Sequence, residues 1–425
     1  MTTREENELI TRVGPGTPMG NALRRYWMPA LLASELPGPD CPPVRVKLLG
    51  EELVAFRDTA GRVGLIEEFC PHRLASLFLG RNEEHGLRCV YHGWKFDVAG
   101  ACVDMPNEPA ASSFKDRIHT TAYPVEEKGG VVWAYMGPPE KKPELPDQEW
   151  MRAPATHSFV SVTHEFANFV QTVEGGIDTA HSSFLHNNNL SDKTGFRQIA
   201  TAPRLEVVKT PYGFQYASLR DIGNDDIYLR LYTFVMPFHQ MRASQIQASA
   251  GEGGGRRAAV PTNAGHMWVP IDDENTLVFN WMYATDPEIP FPEGHVEKAE
   301  TNLGRGQTGE GRIRHRLRAN DWLVDREMQR TENFSGIFGV NSQDLAVQES
   351  MGAIVPRWRE HLGSTDLAVI AYRGILMDTI KSVQAGNDPP GVDPDTYRKV
   401  RASDMVIKRG TDWRQAVAQA TVAQI

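Results

Sequence analysis

Three features are scarce in this 425-residue chain, and each scarcity excludes a class of protein. Only four cysteines are present, too few for the disulfide framework of a small secreted scaffold. No stretch approaches the ~18 consecutive apolar residues of a membrane span, and the charged N-terminus MTTREENELI lacks an apolar signal segment. We therefore expect a cytoplasmic protein with no membrane partner. The 45 basic residues are outnumbered by 54 acidic residues, which argues against nucleic acid as a partner.

Length and residue pattern indicate two domains of different architecture. A chain of 425 residues is about three times as long as an ordinary ~150-residue domain. Residues 44–66 contain three short strand-like runs separated by turn residues, which predict a small antiparallel sheet, and the apolar run 129–137 predicts the strand that closes it. The charged, proline-rich segment PPEKKPELPDQ then predicts an exposed connection, so we place the domain boundary after residue 142.

The second domain mixes helical and strand-like segments. A helical stretch is expected from about Glu165 to Phe184, and a core helix is expected from Leu367, where LAVIAYRGILMDTI has helical spacing. Five strand-like runs lie between these helices: RLEVVKT, GFQYASL, IYLRLYTFVM, HMWVPI and TLVFNWMYAT. The fold class is therefore α+β, with an antiparallel sheet in the larger domain.

Cysteine and histidine are concentrated in two short segments of the first domain. Cys70 and His72 are followed by Cys89 and His92 in the pattern C-x-H-x16-C-x2-H. With four cysteines and 13 histidines in the whole chain, this joint occurrence is rare by chance. Thiolates and imidazoles suit zinc or iron, and two such segments can supply four ligands to one centre.

The order of these ligands separates zinc from an iron-sulfur cluster. A zinc site usually carries its cysteines together and its histidines together, whereas here each segment supplies one of each. In a Rieske [2Fe-2S] centre, two histidines replace two cysteines on one of the irons. The segments CPHR and CVYHGWKF resemble the signature loops of the Rieske non-heme iron aromatic-ring oxygenases, and Pro71, Gly93 and Trp94 also match that family's pattern.

A second group of candidate ligands lies in the second domain. Asp178, His181 and His186 form the pattern D-x2-H-x4-H. On a straight helix Asp178 and His181 would share a face, whereas His181 and His186 would lie about 140° apart, so the helix must bend or end there. Gly175 and Gly176 before the pattern, with three asparagines after it, would permit this break. Two histidines and one carboxylate form the facial triad of non-heme iron oxygenases.

The family resemblance supplies roles for these residues. The segment NSQDLAVQESMG resembles the downstream ligand segment of the phthalate-4,5-dioxygenase-like branch, which implies Asp344 as the third iron ligand, with Glu349 as the competing carboxylate. By the same resemblance, Asp178 binds no metal. It orients His181 and bridges to His92 of a neighbouring subunit.

The resemblance extends over nearly the whole chain, from NELITRVGPGTPMG near the start to QDLAVQESMG. It implies an all-β Rieske domain within residues 1–142 and a helix-grip catalytic domain within residues 143–425. It also implies that the chain is an α subunit that forms a homotrimer or a multiple of one.

These features predict the terminal oxygenase component of a multicomponent system, with a [2Fe-2S] cluster and Fe2+ as cofactors. The expected reaction hydroxylates or O-demethylates a carboxylated, phthalate-like aromatic compound with O2. No G-x-G-x-x-G follows a strand and no plant-type ferredoxin run is present, so a separate NAD(P)H-dependent flavin or ferredoxin-type reductase is required. The alternatives are a Rieske electron-transfer or redox-sensing protein without oxygenase chemistry, and a colourless zinc-dependent structural protein.

Three residues are candidates for binding the substrate. An anionic aromatic compound would be held by arginine, because a guanidinium group binds a carboxylate through two hydrogen bonds. Arg204 and Arg242 flank strand-like segments of the second domain, although either could be an ordinary surface charge. Thr179 lies beside the ligand residues and could line the same pocket.

Overall fold

A computed structural model of the chain describes residues 2–248, 255–305 and 314–424. The chain divides into two compact units. The first unit is Val13–Leu145, and the second unit combines Met1–Arg12 with Pro146–Ile425. The division after Leu145 lies three residues beyond the expected boundary at residue 142. None of the described helices combines the length and the apolar character needed to cross a membrane.

The first twelve residues, which we expected in the first domain, instead pack with the second unit. They form helix α1 (Arg4–Thr11), which begins at a Thr3 capping box. The side-chain amide of Asn7 is buried, donates to the Val355 carbonyl at 3.2 Å and accepts from Arg357 Nη1 at 2.9 Å. These two hydrogen bonds explain why the N-terminal helix belongs to the second unit.

The first unit is built from three small antiparallel sheets. It contains helix α2 (Pro18–Leu23) and ten strands: β1 (Trp27–Leu32), β2 (Val44–Leu48), β3 (Glu51–Arg57), β4 (Val63–Glu67), β5 (Arg81–Glu83), β6 (Gly86–Arg88), β7 (Lys95–Phe96), β8 (Cys102–Asp104), β9 (Val125–Lys128) and β10 (Val131–Tyr135). The strand orders are β1-β10-β9, β2-β3-β4 and β5-β6-β7-β8. The expected sheet within residues 44–66 is confirmed as β2–β4. The run 129–137 was expected to close this sheet, which is wrong, because β10 pairs with β1 and β9.

The second unit is built around one eight-stranded antiparallel sheet with helices packed against it. The strands are β11 (Ser158–Glu165), β12 (Arg204–Thr210), β13 (Gly213–Gly223), β14 (Asp226–Val235), β15 (His239–Ala248), β16 (Gly255–Pro270), β17 (Thr276–Ala284) and β18 (Ser403–Lys408). The helices are α3 (Glu149–Arg152), α4 (Phe169–Ile177), α5 (Phe196–Ile199), α6 (His295–Leu303), α7 (Arg326–Thr331), α8 (Val340–Ser350), α9 (Leu367–Gln384) and α10 (Trp413–Val417). The strand order is β11-β17-β16-β15-β14-β13-β12, and β18 also pairs with β14.

The prediction of a helix from Glu165 to Phe184 is wrong at both ends, because helix α4 is shorter. Glu165 is the last residue of β11, and α4 begins four residues later, after the N-cap Asn168. The helix ends at Ile177, because Asp178 adopts an extended conformation and its Oδ1 accepts a hydrogen bond from the backbone of Ala180 at 2.7 Å. Asp178 and His181 therefore do not share a helix. The expected core helix at Leu367 is confirmed as α9.

The two glycines near the end of α4 permit close packing rather than a break. A Cβ atom on Gly176 would lie 2.0 Å from the Trp268 ring on β16, and one on Gly175 would lie 2.2 Å from the Gln348 side chain on α8. Helix α4 can therefore approach both the sheet and α8 closely. This packing carries the segment after Ile177 to the face of the sheet.

Candidate functional site

The cysteine and histidine segments of the first unit form two tight loops. The first follows β4, and its Cys70 carbonyl accepts a hydrogen bond from the Leu74 amide at 2.8 Å. The second joins β6 to β7, and its Cys89 carbonyl accepts from the Gly93 amide at 3.0 Å. Gly93 has φ +79°, and a Cβ atom there would lie 2.6 Å from Pro106 Cγ. The second loop therefore requires glycine at this position.

The four candidate cluster ligands fit a Rieske centre. The rings of His72 and His92 lie with their centroids 4.4 Å apart, while Cys70 and Cys89 are buried in the core of the first unit. The Nδ1 atom of His92 is buried and has no hydrogen-bond partner within the described residues, as expected of an atom meant for a metal. Burial and the neighbouring Cys89 thiol raise the pKa of Cys70 to about 12, so metal binding must drive its deprotonation.

Trp94 supports the histidine of the opposite loop. Its ring stacks on His72 at a centroid distance of 4.4 Å and an interplanar angle of 10°. Its indole Nε1 donates to Asn107 Oδ1 at 2.7 Å, and its carbonyl accepts from the Cys89 amide at 2.8 Å. The tryptophan thus holds one loop against the other.

In the second unit, three side chains converge on one point. The Nε2 atoms of His181 and His186 are 3.0 Å apart, and Asp344 Oδ1 on α8 lies 3.5 Å from the first and 3.1 Å from the second. Ligands at about 2.1 Å from a metal ion, with right angles between them, are separated by about 3.0 Å. The observed triangle therefore has the size of one face of an octahedral iron site.

The hydrogen bonds of the two Nδ1 atoms explain why the Nε2 atoms of His181 and His186 suit a cation. His181 Nδ1 lies 3.2 Å from Asp178 Oδ2, and His186 Nδ1 lies 2.8 Å from Gln343 Oε1. Both partners accept hydrogen bonds, so each Nδ1 carries a proton, and a ring that binds a metal has its lone pair on Nε2. Two lone pairs and the Asp344 carboxylate then face one another, an arrangement that is repulsive unless positive charge lies between them.

The orientation of Gln343 is fixed by its own partners. Gln343 is fully buried, and its Nε2 donates to the Ile337 carbonyl at 2.9 Å and to Asn188 Oδ1 at 2.7 Å. A carbonyl can only accept, so the amide nitrogen must face Ile337 and the amide oxygen must face His186. Gln343 therefore determines which tautomer His186 adopts.

Arg220 on β13 holds the loop that carries His181. This arginine is buried, and its guanidinium group donates to the Thr179 carbonyl at 2.8 Å, to Ser183 Oγ at 3.1 Å and to the Ala200 carbonyl. Two of these acceptors flank His181 in the chain. The loop after α4, which contains a single 3-10 turn at His181–Ser183, is therefore also fixed by side-chain hydrogen bonds.

The structure does not bring Glu349 to the histidines. Its carboxylate is buried and forms an ion pair with Arg314. The same carboxylate accepts from Trp322 Nε1 at 2.9 Å and from the Phe166 amide at 3.1 Å. Of the two carboxylates considered as a third ligand, only Asp344 lies with His181 and His186.

A cavity of about 300 Å³ opens at these three side chains. Its walls are α4 with the loop that follows, α8, and one face of the sheet. The sheet contributes alternate residues of each strand, as expected when side chains alternate between faces. On β16 these residues are Thr262, Ala264, His266 and Trp268.

A line of hydrogen bonds crosses four neighbouring strands on the cavity face. Asn280 on β17 donates to Thr163 Oγ1 on β11 at 3.2 Å and lies 2.8 Å from His266 Nδ1 through its Oδ1. His266 Nε2 lies 2.9 Å from Arg242 Nη1 on β15. The amide oxygen accepts and the guanidinium donates, so His266 is neutral with its proton on Nδ1. Burial and the charges of Arg242 and Arg305 lower the pKa of His266 well below its usual value.

The three candidate substrate-binding residues differ in their placement. Arg242 and Thr179 both line the cavity, and the Thr179 hydroxyl lies 3.0 Å from Ser218 Oγ. Arg204 is exposed on the edge strand β12 and forms an ion pair with Glu206, so it is not part of the cavity. The expectation that Arg204 could bind substrate is therefore corrected.

Comparison with known proteins identifies the family. A model of the Rieske [2Fe-2S] domain matches residues 26–115, and a model described as LigXa C-terminal domain like matches residues 134–425. The chain is 38% identical over 440 residues to the phthalate 4,5-dioxygenase oxygenase subunit of Pseudomonas putida, covering 99% of this chain and 95% of that one. It belongs to the Rieske oxygenase family.

Further relatives agree with this assignment. The 3-chlorobenzoate-3,4-dioxygenase oxygenase subunit of Comamonas testosteroni is 38% identical over 445 residues, covering 99% of this chain and 98% of that one. Among solved structures, NdmA of Pseudomonas putida CBB5 with caffeine has a TM-score of 0.58 at 19% identity, covering 92% of this chain and 98% of that one. Dicamba monooxygenase bound to dicamba has a TM-score of 0.59 at 18% identity, covering 85% and 98%. These two structures are similar in fold.

The family membership confirms several expectations from the sequence. The Rieske oxygenase is an enzyme, its fold is α+β with an all-β Rieske domain and an antiparallel catalytic sheet, and its cofactors are a [2Fe-2S] cluster and non-heme Fe2+. The likeness to the phthalate-4,5-dioxygenase-like branch is confirmed as well. The reading as an electron-transfer protein without oxygenase chemistry receives no support from these relatives.

Sequence reasoning missed three residues of the Rieske oxygenase cavity and its surroundings. Arg197 on α5 lines the cavity, Glu165 lies at the end of β11, and Gln343 contacts His186. Gln343 could have been noticed, because it precedes Asp344 in the ligand segment. Glu165 was concealed by its assignment to a helix, and nothing in the local sequence distinguishes Arg197 from a surface arginine.

Proposed function

We propose that this Rieske oxygenase hydroxylates or O-demethylates a carboxylated, phthalate-like aromatic compound. One observation carries the proposal: His181, His186 and Asp344 face the same cavity as Arg242 and Arg197. The first three side chains would hold the iron, and the arginines would hold the substrate carboxylate beside it. Cys70, His72, Cys89 and His92 would hold the cluster.

The charge of the cavity favours an anionic ligand. Arg197 has no ion-pair or hydrogen-bond partner within the described part of the chain, and Arg242 bonds only the neutral His266. Burial lowers the pKa of Arg242 to about 10, so it remains charged at neutral pH. The Asp344 carboxylate acts on both arginines electrostatically, but it is assigned to the iron here, so a substrate carboxylate would compensate the remaining positive charge.

The names of relatives support the substrate class and leave the reaction type open. Two of them are named as dioxygenase subunits for phthalate and 3-chlorobenzoate. A third, from Sphingobium sp., is named as the oxygenase subunit of 5,5'-dehydrodivanillate O-demethylase and is 30% identical over 441 residues. Dioxygenation and O-demethylation can use the same metal centre, so the iron ligands do not determine which reaction occurs.

The residues have separate tasks in this account. When bound, the two metal centres supply the reducing electrons and the activation of O2. Arg242, oriented by His266, binds the carboxylate and fixes which ring position faces the iron ligands. Asp178 and Gln343 orient His181 and His186, and the closely packed α4 and α8 form walls that limit access of bulk water.

We further propose that the chain forms a homotrimer in which Asp178 faces His92 of a neighbouring copy. The Asp178 carboxylate is a quarter exposed, which leaves room for a second partner beside His181. Apolar side chains are also exposed on the cluster loops, at Leu74 and Tyr91, and beside the iron ligands, at Phe184. Contact between copies would cover these side chains. Sedimentation analysis should give three times the 47.4-kDa mass of the chain, or a multiple of it.

Electrons would come from a separate NAD(P)H-dependent flavin or ferredoxin-type reductase. The relatives are named as oxygenase subunits, which supports a partner that performs the reduction.

A turnover screen tests the proposed function. The purified protein, a compatible reductase, NADH and O2 would be supplied with phthalate, isophthalate, terephthalate and methoxybenzoates in turn. The expected result is substrate-dependent NADH oxidation, with either a dihydroxylated or monohydroxylated product that contains oxygen from 18O2, or a demethylated phenol that keeps its original oxygen and is released together with formaldehyde. NADH oxidation without any oxygenated product from an aromatic carboxylate would contradict the proposal.

A further inference from the structure

The cavity contains a buried carboxyl group that the iron site does not use. Glu165 is the last residue of β11, is 1% exposed and lines the cavity. Neither of its oxygens has a hydrogen-bond partner among the residues that the structure describes, and Oε1 is completely enclosed. A buried polar group without a partner is rare in folded proteins, and in a cavity it indicates a missing ligand.

Among the described residues, no neighbouring side chain forms an ion pair or a hydrogen bond with the Glu165 carboxyl group. The guanidinium group of Arg314 forms an ion pair with the Glu349 carboxylate. It also donates a hydrogen bond to the His164 carbonyl at 2.9 Å. Burial and the charge of Glu349 raise the pKa of Glu165 well above its usual value. This shift favours the protonated acid, which offers one O–H donor and a carbonyl acceptor.

We propose that Glu165 hydrogen-bonds an uncharged polar substituent of the aromatic substrate, so that the substrate is a benzoate with an additional hydroxyl or methoxyl group. The inference rests on the proposed function, in which Arg242 binds the carboxylate. Glu165 then recognises the hydroxyl or methoxyl group, while Arg242 binds the carboxylate.

Positions in the sheet place the two groups at opposite sides of the cavity. Glu165 is on β11 and Arg242 is on β15, with β17 and β16 between these strands. Neighbouring strands are about 4.8 Å apart, so β11 and β15 are separated by about 14 Å, and the register places Phe159 level with Arg242, which offsets Glu165 by a further ~20 Å along the strands. The two side chains therefore line the cavity at separate points, so they can contact different groups of one ligand.

Charge explains why the second group is uncharged. The Glu349 and Asp344 carboxylates both act on Glu165 electrostatically, and both raise its pKa. The nearby Arg314 is already paired with Glu349, so it has no free charge to offer a second substrate carboxylate. A hydroxyl or methoxyl group instead satisfies the hydrogen bond without adding charge.

Calorimetric binding to the oxidised holoenzyme, without reductase, tests the inference in the absence of turnover. The ligands are benzoate and its hydroxy and methoxy derivatives. At least one derivative should bind about tenfold more tightly than benzoate. Glu165→Gln, which keeps a donor and an acceptor, should retain this preference within about threefold. Glu165→Leu should lose it while benzoate binding stays within about twofold.

Two further variants make the result decisive. Glu165→Met serves as a second apolar replacement of similar length, and the visible spectrum of the cluster reports whether each variant is intact. An unchanged preference for the derivative in both apolar variants would overturn the inference. A preference for isophthalate or terephthalate that depends equally on Glu165 would also overturn it, because the second group would then be charged.

Failure of this inference is distinguishable from failure of the proposed function. If no benzoate binds, or if Arg242→Gln leaves benzoate binding unchanged, the proposed function is contradicted. If benzoate binding depends on Arg242 but no hydroxyl or methoxyl group improves it, only the role of Glu165 is contradicted.

Discussion

His186 Nδ1 lies 2.8 Å from Oε1 of Gln343, whereas His181 Nδ1 lies 3.2 Å from a carboxylate oxygen of Asp178. The two histidines that we propose as iron ligands thus have different supports, one an amide and the other a charged group. An amide partner fixes the tautomer and the ring orientation without adding negative charge beside the metal. A carboxylate partner also makes the imidazole a stronger electron-pair donor to the metal. Each support can be tested separately.

The first prediction concerns Gln343. Replacing it with Leu removes the acceptor that holds the Nδ1 proton of His186, so iron affinity should fall about 10- to 100-fold. Iron retention is measured by dialysis against a chelator, with the cluster followed by its visible spectrum. Gln348→Leu is the matched control, because Gln348 is also buried on α8 but does not contact a histidine. Equal iron retention in the two variants would contradict the role of Gln343.

The second prediction concerns the cluster. Cys89→Ser should abolish the red-brown colour and the Rieske electron-resonance signal, because a serine hydroxyl is a poor replacement for a thiolate. Cys102→Ser is the control, since Cys102 is buried in the same core but lies outside the two loops. The control should keep colour and signal. A normal Rieske signal in the Cys89 variant would show that the ligand assignment is wrong.

The third prediction concerns Asp178. Asn keeps the size and one acceptor oxygen but loses the charge, so Asp178→Asn should leave the cluster and the iron bound. Electron transfer between them should become at least about tenfold slower. Single-turnover oxidation of the pre-reduced cluster, with substrate and O2 present, measures this step. Wild-type rates in the variant would contradict the bridging role.

The fourth prediction compares two arginines that were equivalent as candidates. Arg242→Gln should raise the KM for an aromatic carboxylate about tenfold or more, because a charged hydrogen bond in a buried site is lost. Arg204→Gln should change KM less than about twofold, because Arg204 is exposed on an edge strand. Steady-state kinetics with the compatible reductase distinguishes them. Equal effects would place the carboxylate elsewhere.

The parts of the site that could be predicted from sequence are those in which neighbouring residues share one loop. Cys70 and His72 are two residues apart, and Cys89 and His92 are three residues apart within one turn, so short spacing alone brings the members of each pair together. Asp344 is different. It reaches His186 only because α8 packs against α4, which local patterns do not encode, and the family resemblance supplied it.

The errors have a common physical origin in tertiary context. Arg204 and Arg242 both lie on strands, but strand periodicity does not reveal which face is buried or which strand is at the edge. The helix expected from Glu165 to Phe184 ended early because the Asp178 side chain competes for the backbone. Glu165 was hidden by the same error. A buried acid without a partner becomes recognisable only when its surroundings are known.

Anomalous diffraction at the iron edge, on crystals of the holoenzyme, tests most directly the claim that His181, His186 and Asp344 form the catalytic iron site. Besides the two irons of the cluster, we predict one separate iron per chain, about 2.1 Å from the two Nε2 atoms and from an Asp344 oxygen. A separate iron bound by other side chains, or a fully active crystal batch with iron only at the cluster, would contradict it.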